Sequence, residues 1–280
     1  MNILYKVKLI VSRRPKVYWF SLIKEKGSNY ENYGDIITPY LVEKLTGKSV
    51  LYFNPSGRLH KFVKHSIMIG SIIDRAKETT NVWGSGIIRK EQFVKSANFL
   101  AVRGPLTRKR LNELGYCCPK IYGDPALLMS KIYNPSINKK YKYGIVPHYV
   151  DYDVMNNMFT TNSDINVINL KTLDVEITTN EIIECEYIIS TSLHGLIVSD
   201  SYNIPNVWLK ISNNLAGDDI KFKDYFLSVG RDGSNIVKSD MRDLNQINFE
   251  NVSSDRIKTI QNELLSVFPY KLKNKICEQV

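Results

Sequence analysis

The chain has 280 residues, of which 43% are hydrophobic, 11% aromatic and 24% charged. That composition excludes an intrinsically disordered chain, and at about 100–200 residues per domain the length suits two modest domains or one large one. Lys and Arg number 38 against 28 Asp and Glu, a formal charge of +10, which predicts acidic partners: nucleic acid, anionic lipid, or a phosphorylated or carboxylated small molecule.

No apolar run approaches the roughly 20 residues that cross a bilayer; the stretch from Ile67 to Ile73 is short and interrupted. The opening MNILYKVKLIVSRRPK lacks the basic, apolar and small-residue order of a signal peptide. Four cysteines stand at 117, 118, 185 and 277 without CxxC spacing, and an adjacent pair is poor geometry for a disulfide. Together these predict a reduced, cytoplasmic protein that touches a membrane at most peripherally, on its inner face.

In chain order, short β-rich stretches alternate with helical patterns, as in an α/β fold with parallel sheets. The expected strands are Val17–Leu22, Ser66–Ile69, Val82–Gly84, Phe99–Val102, Tyr143–Val146, Asn166–Asn169, Tyr187–Ser190 and Asn206–Leu209. Thr38 is expected to cap a helix that starts at Pro39 and stops at Gly47. A second helix reads from Pro105 to Leu114, ending at Gly115, and a third opens at Thr179 or Asn180 and runs toward Cys185. The Pro-, Asn- and Lys-rich stretch 130–143 is the expected linker, dividing the chain into units 1–135 and 140–252. Ser253 or Ser254 caps a last helix with Ile257, Ile260, Leu264 and Val267 at helical spacing; Pro269 ends it, and a basic tail completes a unit 253–280.

The richest segment for chemistry is CEYIISTSLHGLIVSDSYNIPNVWL, residues 185–209. An apolar strand that enters a helix through Ser190-Thr191-Ser192 aims backbone N–H groups and a positive dipole end at whatever lies beyond it, an arrangement suited to an anion. His194, in the first helical turn, is placed to donate to a phosphate or shuttle a proton; the alternative is that the hydroxyls only cap the helix. Arg103 follows the strand Phe99–Val102, at the edge where α/β sheets gather ligands, either to grip an anion or to pair with a neighbouring acid. Asn32, Gly34 and Asp35 form a turn before the Thr38 helix, with Asp35 either free to meet sugar hydroxyls or spent as a turn residue. His148 also lies at a strand's carboxyl edge, and Trp83-Gly84-Ser85-Gly86 reads as a backbone turn near the crevice. Gly123-Asp124-Pro125 reads as structural turn chemistry. Lys221–Phe226, leading toward Arg231, reads as a binding loop or solvated lid. Two histidines without further ligands nearby predict no metal.

Taken in order, Asn32-Tyr33-Gly34-Asp35, Gly84-Ser85-Gly86, AVRGPLTR with Arg103, Gly123-Asp124-Pro125-Ala126, Pro147-His148, Thr191-Ser192-Leu193-His194-Gly195 and Lys221-Phe222-x-Asp224-Tyr225 resemble the polysaccharide pyruvyl transferase family, over about residues 18–231. The resemblance implies two Rossmann-like domains facing across a cleft, GT-B-like, with the last helix crossing back to the first. It implies transfer of the enolpyruvyl carbons of phosphoenolpyruvate to two hydroxyls of one sugar, giving a cyclic ketal and phosphate, with no further cofactor. On this reading Arg103, Ser192, Leu193 and His194 hold phosphoenolpyruvate. Some relatives carry Arg-Leu-His where this chain has Ser192-Leu193-His194, so Lys221 or Arg231 replaces a missing cation. His194 is the leading proton donor, and Asp35 orients or deprotonates the sugar. Asn32, Gly34, Ser85 and His148 line the acceptor side. The acceptor implied is a lipid-linked saccharide of a surface polysaccharide such as a capsule.

Two other classes remain open at this stage. A nucleotide-sugar glycosyltransferase on the same frame needs a carboxylate for the ribose, for which Glu184 and Glu186 are candidates. A non-catalytic scaffold for glycan assembly would use the basic tail Lys271–Lys275 and the patch Lys61–His65 against lipid. Dispersed basic residues without a recognition motif argue against a nucleic-acid partner.

Overall fold

The structure, a computed structural model, describes residues 3–159, 162–211, 217–238 and 244–274. Helix α1 (Ile3–Val11) leads into strand β1 (Lys16–Tyr18), helix α2 (Leu22–Lys26), strand β2 (Glu31–Asn32) and helix α3 (Tyr33–Thr46). Strands β3 (Leu51–Tyr52), β4 (His65–Ile67), β5 (Thr80–Trp83) and β6 (Asn98–Ala101) follow, then helices α4 (Pro105–Glu113) and α5 (Met129–Ile132). The later part runs β7 (Tyr141–Val146), α6 (Tyr152–Phe159), β8 (Ile165–Val167), β9 (Lys171–Thr172), α7 (Val175–Ile183), β10 (Cys185–Ser190) and α8 (Leu193–Ser201). It closes with β11 (Asn206–Lys210), α9 (Ile220–Val229), β12 (Ile236–Lys238) and α10 (Ser254–Ser266).

Two five-stranded sheets result, ordered β3-β1-β4-β5-β6 and β12-β11-β10-β7-β8, parallel at every pairing. Mixed α/β, Rossmann-like architecture is therefore present in both. A small antiparallel pair, β2 with β9, joins the earlier and later parts of the chain. One apolar cluster passes between them, from Val17, Ile37 and Trp83 to Ile182, Val198, Trp208 and Ile260. Helix α10 is tied to the earlier part: Trp83 Nε1 donates to the Leu264 carbonyl at 2.9 Å, and Gln261 Nε2 to Leu127 at 2.7 Å. Beyond it, Tyr270 donates to the Lys16 carbonyl. Lys275 and Cys277 of the expected basic tail lie outside the described residues.

Several boundaries differ from the sequence reading. The helix expected from Thr38 begins at Tyr33 and holds Pro39 inside it. Tyr33, Ile37, Leu41 and Leu45, each four apart and all buried, give it an apolar stripe whose packing outweighs the one backbone bond that proline removes. Asp35 thus sits in a first helical turn rather than in a loop. The third helix starts at Val175, because Asp174 accepts from the amides of Glu176 and Ile177. The first strand ends at Tyr18, and Ser21 opens α2, accepting from Lys24 N. Lys221–Phe226 is no lid: it belongs to α9, whose Phe222, Tyr225 and Phe226 are buried.

Candidate active site

Residues from the earlier and later parts of the chain meet at His194, which lies 4.0 Å from Asp124 and directly against Gly34. Strands β7 and β10 are neighbours, with Val146 opposite Ser190, so the turns after them run side by side. Ser190 pins them: its Oγ donates to the Val146 carbonyl at 2.7 Å and accepts from Ser192 N at 3.0 Å. Thr191 Oγ1 accepts from His148 N at 2.7 Å. Gly195 permits this closeness, since a Cβ there would lie 2.4 Å from Ser190 Oγ. Ser192 takes the N-cap of α8 with extended backbone and makes no side-chain capping bond, leaving its hydroxyl outside the helix's own first turn.

His194 stands over this edge, its side chain only 12% exposed, with Nε2 4.0 Å from Asp124 Oδ2 and no hydrogen-bond partner among the described residues. Burial lowers its pKa to about 3, helped by the charges of Arg103, Lys221 and His148. Its imidazole is therefore neutral near pH 7. His148, likewise pushed down to about 4 by burial and Lys221, leaves Nδ1 without a hydrogen-bond partner among the described residues.

The first sheet supplies acids. Asp35, in the first turn of α3, accepts from Asn32 Nδ2 at 2.8 Å, and burial raises its carboxyl to about 7. Asp124 uses Oδ1 to cap the turn Pro125–Leu128, accepting from Ala126 N at 3.0 Å. Its Oδ2 makes no hydrogen bond among the described residues, and burial, opposed by the amides of Ala126 and Gly70 and the charge of Arg103, raises the carboxyl to about 6. From sequence alone this aspartate reads as turn chemistry. The available signal was Asp before Pro, where one oxygen suffices for the cap and the other is spare.

Arg103 is completely buried. Nη1 donates to Ser71 Oγ at 2.8 Å and Nη2 to the Ile87 carbonyl at 2.6 Å, while Nε lies 3.3 Å from Asp224 Oδ2. What it offers the site is charge from beneath. Asp224 was also unassigned by the sequence reading. It reaches from α9 to α4, whose N-cap Gly104 has no side chain to cap with. Its Oδ1 accepts from Leu106 N at 2.8 Å and Thr107 N at 2.9 Å, and its Oδ2 from Thr107 Oγ1. Lys221, one turn earlier on α9, makes no ion pair or hydrogen bond among the described residues, and burial lowers its pKa.

The remaining candidates divide. Ser85 is buried and spends its hydroxyl on the Gly70 carbonyl. Gly34 approaches His194 directly. Arg231 faces inward to Glu250, Asn206 and Asp200, tying α9 to β11. Glu184 and Glu186 sit at the opposite end of β10 from Ser190, roughly 13–20 Å away by strand rise, and Glu184 pairs with Lys140.

A protein of Acanthamoeba polyphaga mimivirus, itself uncharacterized, is 28% identical over 233 residues, covering 78% of this chain and 76% of that protein. The succinoglycan biosynthesis protein ExoV of Rhizobium meliloti strain 1021 is 24% identical over 178 residues, covering 58% of this chain and about half, 52%, of ExoV. The family model described as polysaccharide pyruvyl transferase matches residues 3–213, so the edges that carry Asp35, Arg103, Asp124, His148 and His194 all fall within it, and the chain belongs to that family.

Proposed function

We propose that the protein transfers the enolpyruvyl group of phosphoenolpyruvate to two hydroxyls of one sugar, forming a cyclic pyruvate ketal and releasing phosphate. The observation that carries this reading is the cluster of buried atoms without a hydrogen bond among the described residues, His194 Nε2, His148 Nδ1 and Asp124 Oδ2, beside the cations Arg103 and Lys221. Orphaned buried polar groups are costly unless a ligand satisfies them. A donor with about three negative charges answers both the orphans and the positive field.

In this scheme the later half of the chain binds the donor and the earlier half the acceptor, across a GT-B-like cleft. Lys221, the Ser192 hydroxyl and the amides at the start of α8 hold the donor's phosphate and carboxylate, with Arg103 adding charge from below. Arg231 has no part, its nitrogens being committed elsewhere. The trianion offsets the field that keeps His194 neutral, so the imidazole gains its proton as the donor binds. His194 then delivers that proton to C3 while Asp35, near 7 and poised to exchange a proton at neutral pH, accepts one from the attacking hydroxyl. Attack forms the first C2–O bond; the second hydroxyl displaces phosphate, and its proton leaves with phosphate. Asn32 and His148 face the sugar, which is carried on a lipid-linked precursor of a surface polysaccharide. No further cofactor enters the scheme.

The test is phosphate release from phosphoenolpyruvate with and without a panel of lipid-linked or aryl galactosides and mannosides. Acceptor-dependent release, with a product heavier by one ketal-linked pyruvate, supports the reading. His194→Gln should lose about 10²–10⁴-fold in turnover with its fold intact. Consumption of a nucleotide sugar instead, with phosphoenolpyruvate inert, overturns it in favour of glycosyl transfer.

A further inference from the structure

Helix α1 is amphipathic in an unusual sense: it has two apolar sides. At 100° per residue, Tyr5 and Leu9 share one side and pack with Leu51, Phe53 and Val63, while the Tyr5 hydroxyl donates to the Tyr52 carbonyl at 2.7 Å. This seats the helix on β3, the edge strand of the first sheet. Leu4, Val7, Ile10 and Val11 fall on a separate arc of roughly 120°, and all four are exposed, Leu4 by 74%. Phe62, 79% exposed, belongs to the adjoining segment 58–64, whose Leu59 and Val63 pack in the same cluster as Tyr5 and Leu9. Scattered apolar side chains on a surface are ordinary, but an aligned arc beside an exposed phenylalanine is not.

Charge says what covers it. Lys6 and Lys8 bracket the exposed arc, one about 40° beyond each edge, and Arg13, Arg58, Lys61 and Lys64 are exposed around it. No Asp or Glu occurs in residues 1–24 or 44–73. A protein partner would call for mixed charge at the rim; a rim that is cationic except where Glu78 nears His60, set around an apolar stripe, matches anionic headgroups above acyl chains.

We propose that α1 and the 58–64 segment dock the protein on an anionic lipid surface, with the arc in the interface and the lysines at headgroup level. Lysine stems reach along apolar surface while their charge stays in the polar layer. The inference is independent of pyruvyl transfer, because it is read by partition rather than by turnover.

The experiment is co-sedimentation of the full chain with phosphatidylcholine vesicles, alone or mixed with phosphatidylglycerol. The wild type should sediment with the mixed vesicles only, and added salt should release it. Val7→Glu with Ile10→Glu should cut partitioning at least tenfold, and Lys6→Gln with Lys8→Gln about 25-fold, each cation near an anionic surface being worth about a factor of five. Phe93→Glu, another exposed apolar residue, carries a comparable change outside the face and should bind like the wild type. Circular dichroism keeps the comparison to folded variants, and the lysine pair tests the idea if the glutamates unfold α1. No preference for mixed vesicles, or equal loss in Phe93→Glu, overturns the proposal. So does a lipid-free dimer that Val7→Glu dissociates, which would make a second copy the occupant.

Discussion

Gly34 and His194 meet face to face: a Cβ on Gly34 would lie 1.9 Å from Nδ1 of His194 and 2.4 Å from its Cγ. The glycine is needed for closeness, not for its backbone angles, since it lies within helix α3. Helix α3 from the earlier half therefore abuts the imidazole from the later half, and the position of one fixes the other. Gly34→Ala should displace the ring and lower turnover at least tenfold, at a cost of about 1–3 kcal/mol in stability from overpacking. Steady-state kinetics with a urea melt on the same sample checks both halves.

Asp224 answers a charge and a helix end at once. Removing it leaves Arg103 buried without its counterion and three α4 donors without an acceptor. Asp224→Ala should cost about 3–5 kcal/mol, lowering the melting temperature by on the order of 10 °C. Arg103→Met in the same chain should restore part of that, because the stranded charge is gone. Calorimetry on the two single variants and the double distinguishes charge stranding from loss of the cap: no recovery in the double assigns the whole cost to the cap.

Asp35 makes stability fall as pH rises. Its carboxyl titrates near 3.8 when unfolded and near 7 in the fold. Between those values the native state holds a proton that the unfolded chain has released, so native stability declines across the window and levels off above it. Asp35→Asn removes this contribution. It should match the wild type near pH 4 and be more stable near pH 8 by on the order of 1–3 kcal/mol, while losing activity throughout. Denaturant midpoints measured across that range show the divergence; parallel curves would refute the assignment.

Lys221 is a site cation that makes no ion pair or hydrogen bond among the described residues, its Nζ lying 5.4 Å from the centroid of the Phe222 ring. Lys221→Gln should raise the KM for phosphoenolpyruvate about 10–100-fold with little change in the melting temperature, since no internal bond is lost. An unchanged KM would shift donor binding to the α8 amides and Arg103 alone.

The sequence by itself determined the class of fold. Alternating apolar stretches such as Tyr143–Val146 and Tyr187–Ser190 specify buried parallel strands because hydrophobic patterning is local, and Gly47 and Ser253 mark helix ends because capping is local. It also pointed to Arg103, His148 and His194, since residues just beyond the carboxyl ends of parallel strands are recognisable without coordinates, and to Asp35 through the turn and motif Asn32-Tyr33-Gly34-Asp35. Only the tertiary structure decided what these groups do there. Pro39 argued for a helix start, yet a buried stripe carried the helix back to Tyr33. Arg103 read as an open anion ligand, yet Asp224, more than a hundred residues later, takes its charge. Asp124 read as a turn, and its second oxygen became a site group only because His194 lies opposite. Burial, pairing and pKa depend on what a distant segment brings to within a few ångströms, and no local pattern carries that information.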